Sequence, residues 1–285
     1  MIPEADLILN ADGSLYHLNL LPDDVADTVI TVGDSERVPL VSRYFDRIEV
    51  RKGKREFITH TGWLGKTRLT VLSTGIGTDN IDIVLNELDA LVNVDLATRR
   101  AHTTHRTLDI IRIGTSGALQ PDIPLDSLVL SGYGLGLDAL MAFYPKKMDT
   151  EESELLTAIQ KHMDKPSLPA YLTRGDEVLA RKLGQGPYVG GITVTLPGFY
   201  APQGRRVRAE QQHPDLLERL SGFRLGTNLI TNLEMETAGI YALARVLGHR
   251  AISINAILAN RSTSRFSKHP ERIVEQAIRT VLERL

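Results

Sequence analysis

The chain reads as an α/β protein: a twisted mixed β-sheet between layers of helices, forming a single three-layer domain. Three features carry that reading. Short β-branched runs alternate with segments of helical apolar spacing almost from end to end. Run after run stops at a glycine-rich turn, where open α/β sheets place their ligands. No low-complexity stretch or internal repeat interrupts the alternation, so residues 1–285 are taken as one domain.

In chain order, Thr28-Val29-Ile30-Thr31-Val32 is a strand that stops at Gly33-Asp34. Arg55, in Lys54-Arg55-Glu56-Phe57, opens another strand. Thr67 to Ser73 is a strand ending at Thr74-Gly75-Ile76-Gly77. Ile81, Val84, Leu85, Leu88 and Leu91 then recur at helical spacing, which predicts a helix over roughly Asn80 to Leu91. The polar segment 93–107, with Arg99, Arg100, Arg106, His102 and His105, reads as a surface insertion. Its His-x-x-His spacing lacks a neighbouring carboxylate, so a solvated loop or helix extension is favoured over a metal site, and no metal is assigned. Leu108 to Ile113 is a buried strand that breaks into a tight loop at Gly114-Thr115-Ser116-Gly117. Ser127 to Leu130 runs into Gly132 and Gly134. A helix around Ser153 to His162, a strand over Gly191 to Leu196 and a helix from Glu234 to Leu247 follow. Ala251 to Leu258 is the last strand, and Pro270 to Leu285 is an amphipathic helix.

Composition removes several function classes. There is no cysteine, which excludes disulfides, thiolate metal sites and cysteine nucleophiles. A formal charge of −2 gives no reason to expect nucleic acid as a partner. The start lacks a basic and apolar leader, and no apolar run approaches the roughly 20 residues that span a bilayer, so a cytoplasmic protein with no membrane partner is expected. No Walker loop is present. Gly134-Leu135-Gly136-Leu137-Asp138-Ala139 fits a dinucleotide fingerprint but meets Pro145 too soon for the helix that motif needs, so no organic cofactor is expected.

Arg112 is the most informative residue, because it is a guanidinium inside an apolar run. A buried charge requires a partner. Either an anion sits against it, with the loop amides and Thr115 as a cradle, or it forms an internal ion pair with an Asp or Glu. Arg37 beside the Gly33 turn, together with Arg55, Arg112 and Thr115, could converge on one dianion. In Asn232-Leu233-Glu234-Met235-Glu236, two carboxylates at a strand-to-helix junction either stabilise the helix start or accept hydrogen bonds from vicinal sugar hydroxyls. Phe199-Tyr200-Ala201-Pro202-Gln203-Gly204-Arg205 offers an amide and a guanidinium to a planar heterocycle, with Phe199 available to stack.

Taken in order, these segments resemble the nucleoside phosphorylase-I family, most closely its uridine phosphorylases. The strongest stretches are Gly33-Asp34-Ser35-Glu36-Arg37-Val38, Arg55-Glu56-Phe57, Ser73-Thr74-Gly75-Ile76-Gly77, Arg112-Ile113-Gly114-Thr115-Ser116-Gly117 and Glu234-Met235-Glu236. The resemblance implies reversible phosphorolysis of a pyrimidine nucleoside, uridine, to uracil and ribose 1-phosphate, with inorganic phosphate as co-substrate. It implies that Gly33, Arg37, Arg112 and Thr115 hold phosphate, with Arg55 arriving from a partner subunit. Glu236, with Glu234, would bind the ribose, Met235 would pack beneath it, and His17 of the partner would approach the 5′-hydroxyl. Gln203 and Arg205 would read the uracil edge, Phe199 would line that pocket, and Arg261 would orient its loop. A homodimer or homohexamer with sites shared between subunits is implied. Relatives can hold potassium at the dimer interface near residues matching Glu56, Ile76 and Asn80. Here Thr78-Asp79-Asn80 replaces the Gly-Pro-Ser common in bacterial members, which counts against the ion. Purine-specific relatives use an aspartate just after the last strand; Asn260-Arg261-Ser262-Thr263-Ser264 has no acid. The alternatives are a purine or broad-specificity phosphorylase, a hydrolytic nucleosidase and a non-catalytic nucleoside sensor.

Overall fold

The β-branched runs form strands where their composition places them. In the computed structural model, which describes residues 1–145, 147–186 and 188–285, β1 (Thr28–Val32) coincides with the predicted strand. The short α1 (Arg37–Ser42) follows, then the hairpin β2 (Arg47–Lys54) and β3 (Phe57–Leu64), and β4 (Thr67–Ser73). Arg55 does not open a strand. It sits in the β2–β3 turn with φ of 57°, in left-handed backbone that closes the hairpin. Helix α2 (Thr78–Asn93) buries Ile81, Val84, Leu85, Leu88 and Leu91, the predicted stripe.

The segment 93–107 holds a small hairpin, β5 (Val94–Asp95) with β6 (Arg100–Ala101), and residues 102–107 follow as a loop. Its arms are tied to the body: the Arg99 carbonyl accepts from the Ile2 amide (2.8 Å), and the Arg106 amide donates to the Asn93 side chain (2.7 Å). His102 and His105 do not converge on one another. His105 turns toward His249 and Asp89, so a carboxylate does lie nearby. However, the His249 Nδ1 accepts the Leu108 amide (3.2 Å), which places the ring proton on Nε2, 3.3 Å from Asp89. That tautomer offers no lone pair to a metal.

The largest departure from the sequence reading is β7 (Asp109–Ala118). It does not break at Gly114 but runs on through Gly117. The glycine is required for packing: a Cβ at Gly114 would meet the Arg112 Nη1 at 1.6 Å. The backbone amides of this stretch therefore belong to a strand, not to an anion-cradling loop. Similarly, β8 (Leu128–Gly136) absorbs the G-x-G pattern. Cβ atoms at Gly134 and Gly136 would strike Ala238 (2.7 Å) and Tyr171 (2.1 Å). Those glycines serve close packing, not a dinucleotide turn.

The chain continues through α3 (Thr150–Met163), β9 (Tyr171–Arg174), α4 (Glu177–Leu183), β10 (Tyr188–Thr195), α5 (Leu216–Gly222), β11 (Arg224–Leu225) and β12 (Asn228–Glu234). It ends with α6 (Thr237–Leu247), β13 (Arg250–Asn260), β14 (Arg265–Phe266) and α7 (Pro270–Leu282). Proline at the first turn of α7 costs no hydrogen bond, and Ile273, Val274, Ala277, Ile278 and Val281 bury its inner face.

The sheet is mixed and runs β11-β12-β10-β8-β13-β7-β1-β4-β3-β2, with β12 also pairing antiparallel with β7 at Asn232–Ala118 and Leu233–Gly117. That extra pairing closes β7, β13, β8, β10 and β12 into a barrel, while β1 to β4 extend from it as an open sheet. One apolar core lies around β1, α2, α6 and α7, and a second between β10, β12, α3 and α5. Among the described residues, no helix is long and apolar enough to cross a membrane.

Candidate active site

The ends of β1, β4, β7, β12 and β13 open on a cavity of about 760 Å³. Its lining brings together Gly33, Arg37, Arg112 and Thr115, the Glu234-Met235-Glu236 segment, and Phe199, Gln203 and Arg205. Gly75 and Gly77, with φ of 70° and 95°, turn the chain after β4 so that the Gly77 amide donates to Glu236 Oε1 (2.8 Å). Arg37 opens α1 and lays its guanidinium across β7, donating to the Ile113 carbonyl (3.3 Å). Burial lowers its pKa, and the neighbouring Arg112 lowers it further.

Of the two partners left open for Arg112, the internal carboxylate is present. Nη2 donates to Glu236 (2.5 Å) and lies 2.9 Å from Glu234, while Nη1 donates to Asn255 (2.7 Å). Burial acts to lower its pKa, but the two carboxylates outweigh that and raise it. Five N–H donors meet three protein acceptors, so Arg112 retains donors for a ligand on the cavity side.

The two acids of the Glu-Met-Glu segment divide their work. Glu234 accepts from the Glu236 and Thr237 amides (2.9 Å each) and from Thr195 (2.6 Å), so it caps α6 and its oxygens are committed. Glu234, assigned to the sugar from the sequence, also holds the start of the helix here. Glu236, like Glu234, lines the cavity. Burial lifts its carboxyl above the usual carboxylate range; Arg112 opposes that lift and Glu234 adds to it.

Arg205 is held within its own loop. Its guanidinium stacks on Phe199 at 3.7 Å from the ring centre and donates to the Phe199 carbonyl (2.7 Å) and Gln203 Oε1 (2.6 Å). Phe199 therefore gives one ring face to Arg205, which limits the stacking face expected for a heterocycle. Burial and the nearby Arg261 push the Arg205 pKa down to about 10, which leaves it charged at neutral pH. Arg261 does not line the cavity. It donates to the Gln203 carbonyl (3.0 Å) and so fixes the loop. Phe266 on β14 also lines the cavity and is 63% exposed, a wall the sequence reading missed because a two-residue strand gives no periodicity.

Besides Arg261, two predicted residues lie outside their own chain's cavity. His17 is bound through Nδ1 to Glu87 (2.6 Å), and Arg55 lies in the β2–β3 turn beside Tyr16. Near Glu56 and Ile76, Asn80 turns its amide nitrogen toward the Ile76 carbonyl (3.5 Å).

Guanidiniums, buried acids and an amide–guanidinium loop thus share one cavity on a mixed α/β sheet. The model of the phosphorylase superfamily matches residues 27–285, and the chain belongs to that superfamily. The uridine phosphorylase of Thermococcus kodakarensis is 30% identical over 281 residues, covering 95% of this chain and 88% of that one. A Trypanosoma brucei nucleoside phosphorylase, whose crystal structure is described as showing uridine phosphorylase activity, superposes with a TM-score of 0.91 at 27% identity, covering 98% of this chain and 99% of that one. A DeoD-type purine nucleoside phosphorylase of Caldanaerobacter subterraneus is 27% identical over 262 residues, 90% of this chain and 92% of its own.

Proposed function

We propose that the protein catalyses reversible phosphorolysis of uridine to uracil and ribose 1-phosphate, and that each site is completed by a second copy of the chain. The observation that carries the substrate class is the Gln203–Arg205 pair in the cavity lining, held by Phe199 and Arg261. An oxygen of phosphate, held by Arg37, Arg112 and Thr115, attacks C1′ as the C1′–N1 bond breaks. The bonding pair leaves with the base, and Arg205 and Gln203 donate to the uracil anion as it forms. Positive charge on the sugar is met by the phosphate itself, so no enzyme nucleophile is needed. Glu236 accepts from the ribose hydroxyls and holds C1′ in line.

Charge supports the shared site. The cavity of one chain is lined by three arginines (Arg37, Arg112, Arg205) and four carboxylates (Asp34, Glu56, Glu234, Glu236). A dianion is not balanced there without a further cation. Arg55 and His17, displaced from their own cavity, are the groups a partner would supply.

The test is an absorbance assay of uridine and inosine side by side, with and without phosphate. Phosphate-dependent uridine cleavage exceeding inosine cleavage is expected; faster inosine cleavage overturns the pyrimidine reading. Arg205→Ala should lower kcat/KM for uridine about 100- to 1000-fold while the KM for phosphate stays within about twofold, since it removes only leaving-group stabilisation. Equal losses toward both substrates contradict that role.

Acid pH reports on Glu236. The ionised form is needed to accept from the sugar, and its pKa is raised. As pH falls, the carboxyl therefore protonates before a free glutamate at about 4.3 would, so kcat/KM for uridine should begin to drop above that value. In Glu236→Gln, the residual activity should lack this limb. An acid limb unchanged in that variant assigns it to another group.

A further inference from the structure

A directed chain of side-chain hydrogen bonds runs once around the barrel, and its head is Arg112. Arg112 on β7 donates to Asn255 Oδ1 on β13 (2.7 Å), and Asn255 Nδ2 donates to Ser131 on β8 (3.1 Å). The Thr193 hydroxyl on β10 donates to Asn232 Oδ1 on β12 (2.8 Å), so in its contact with Ser131 (2.5 Å) it must accept. Asn232 Nδ2 then donates to Ser116, back on β7 and on the cavity wall (2.9 Å). Every bond crosses to the neighbouring strand and every donor points the same way round, an arrangement in which each bond polarises the next.

This circuit dictates the orientation of the Asn255 amide. Both Nδ2 hydrogens are taken, by Ser131 and Ser253, so only Oδ1 can face Arg112. The guanidinium is then clamped between a neutral acceptor on Nη1 and carboxylates on Nη2. A neutral clamp matters because Glu234 and Glu236 already outnumber the Arg112 charge, and a third carboxylate in place of Asn255 would add to the repulsion of a dianion.

We propose that Asn255, oriented by the Ser131–Thr193–Asn232 circuit, is a positioning residue that aims Arg112 at phosphate, a role that rests on the phosphorolysis reading above. The test uses the full-length enzyme and varies phosphate and uridine separately. Asn255→Leu keeps the volume but removes the acceptor. Its KM for phosphate should rise about 30-fold while the KM for uridine changes by less than about threefold, because one charge-assisted bond to the arginine is lost. Thr193→Val breaks the circuit far from the cavity and should raise the phosphate KM about three- to tenfold, with Thr193→Ser restoring it.

A folded Asn255→Leu with an unchanged phosphate KM overturns the proposal, as does a parallel rise in both KM values. Should Asn255→Leu fail to fold, the Thr193 pair decides alone: an unchanged phosphate KM in Thr193→Val overturns it. If the wild-type enzyme does not cleave uridine, the functional reading has failed, and calorimetric titration of the same variants with inorganic phosphate still decides whether Asn255 aims Arg112.

Discussion

Arg112→Ala is expected to lower phosphate-dependent cleavage by at least about 1000-fold, the loss of a preorganised cation aimed at the attacking anion. The substitution does more than remove a ligand contact. Glu234 and Glu236 are buried and share this guanidinium. Removing one partner of a buried ion pair destabilises by about 3–5 kcal/mol, so a lowered melting temperature should accompany the lost rate. Arg112→Lys separates the two effects. An ammonium restores one positive charge, and with it part of the stability. It cannot reach Asn255, Glu236 and phosphate in one plane, so phosphorolysis should stay within about tenfold of the alanine variant. Rates measured at low and at saturating phosphate, alongside thermal unfolding of both variants, make the comparison. Near-normal turnover of Arg112→Ala at low phosphate would show that the anion sits elsewhere.

The reasons parts of this site could be read from sequence are physical. β1 and β4 are uninterrupted β-branched runs with glycine stops, and nothing in their packing overrides that signal. Arg112 and Glu236 stood out because a charge in an apolar run or at a strand end needs a partner. β7 misled for a related reason. Gly114 looks like a strand breaker, yet it is there because the Arg112 side chain folds back over it. The arginine and the apparent loop were one feature seen as two. Barrel closure was hidden because the β12–β7 pairing joins residues more than a hundred positions apart through two bridges. The hydrogen-bonded circuit escaped notice because serine, threonine and asparagine inside apolar strands carry no charge. A signal did exist: in Ala251-Ile252-Ser253-Ile254-Asn255 the polar residues fall on alternate positions, marking one polar face in a strand that is buried on both.

Mixing two inactive variants should produce an active enzyme. If Arg55 serves the neighbouring subunit, a chain carrying Arg55→Ala keeps its own Arg112 and lacks only the arginine it would lend its partner. A chain carrying Arg112→Ala cannot hold phosphate but can still lend Arg55. In a mixed dimer, one of the two sites then contains every wild-type group and the other contains neither arginine. Random exchange of equal amounts makes half the dimers mixed, so activity should recover to about a quarter of wild type from two nearly inactive parents. Arg55 suits the purpose, since it lies in a turn and outside its own cavity. Coexpression with two affinity tags isolates the mixed species, and the rate per mixed dimer is the measurement. A mixed dimer as inactive as its parents would mean that Arg55 acts within its own chain or not at all. The excess of carboxylates over arginines in the cavity would then have to be met by another cation, and the shared-site reading would fall.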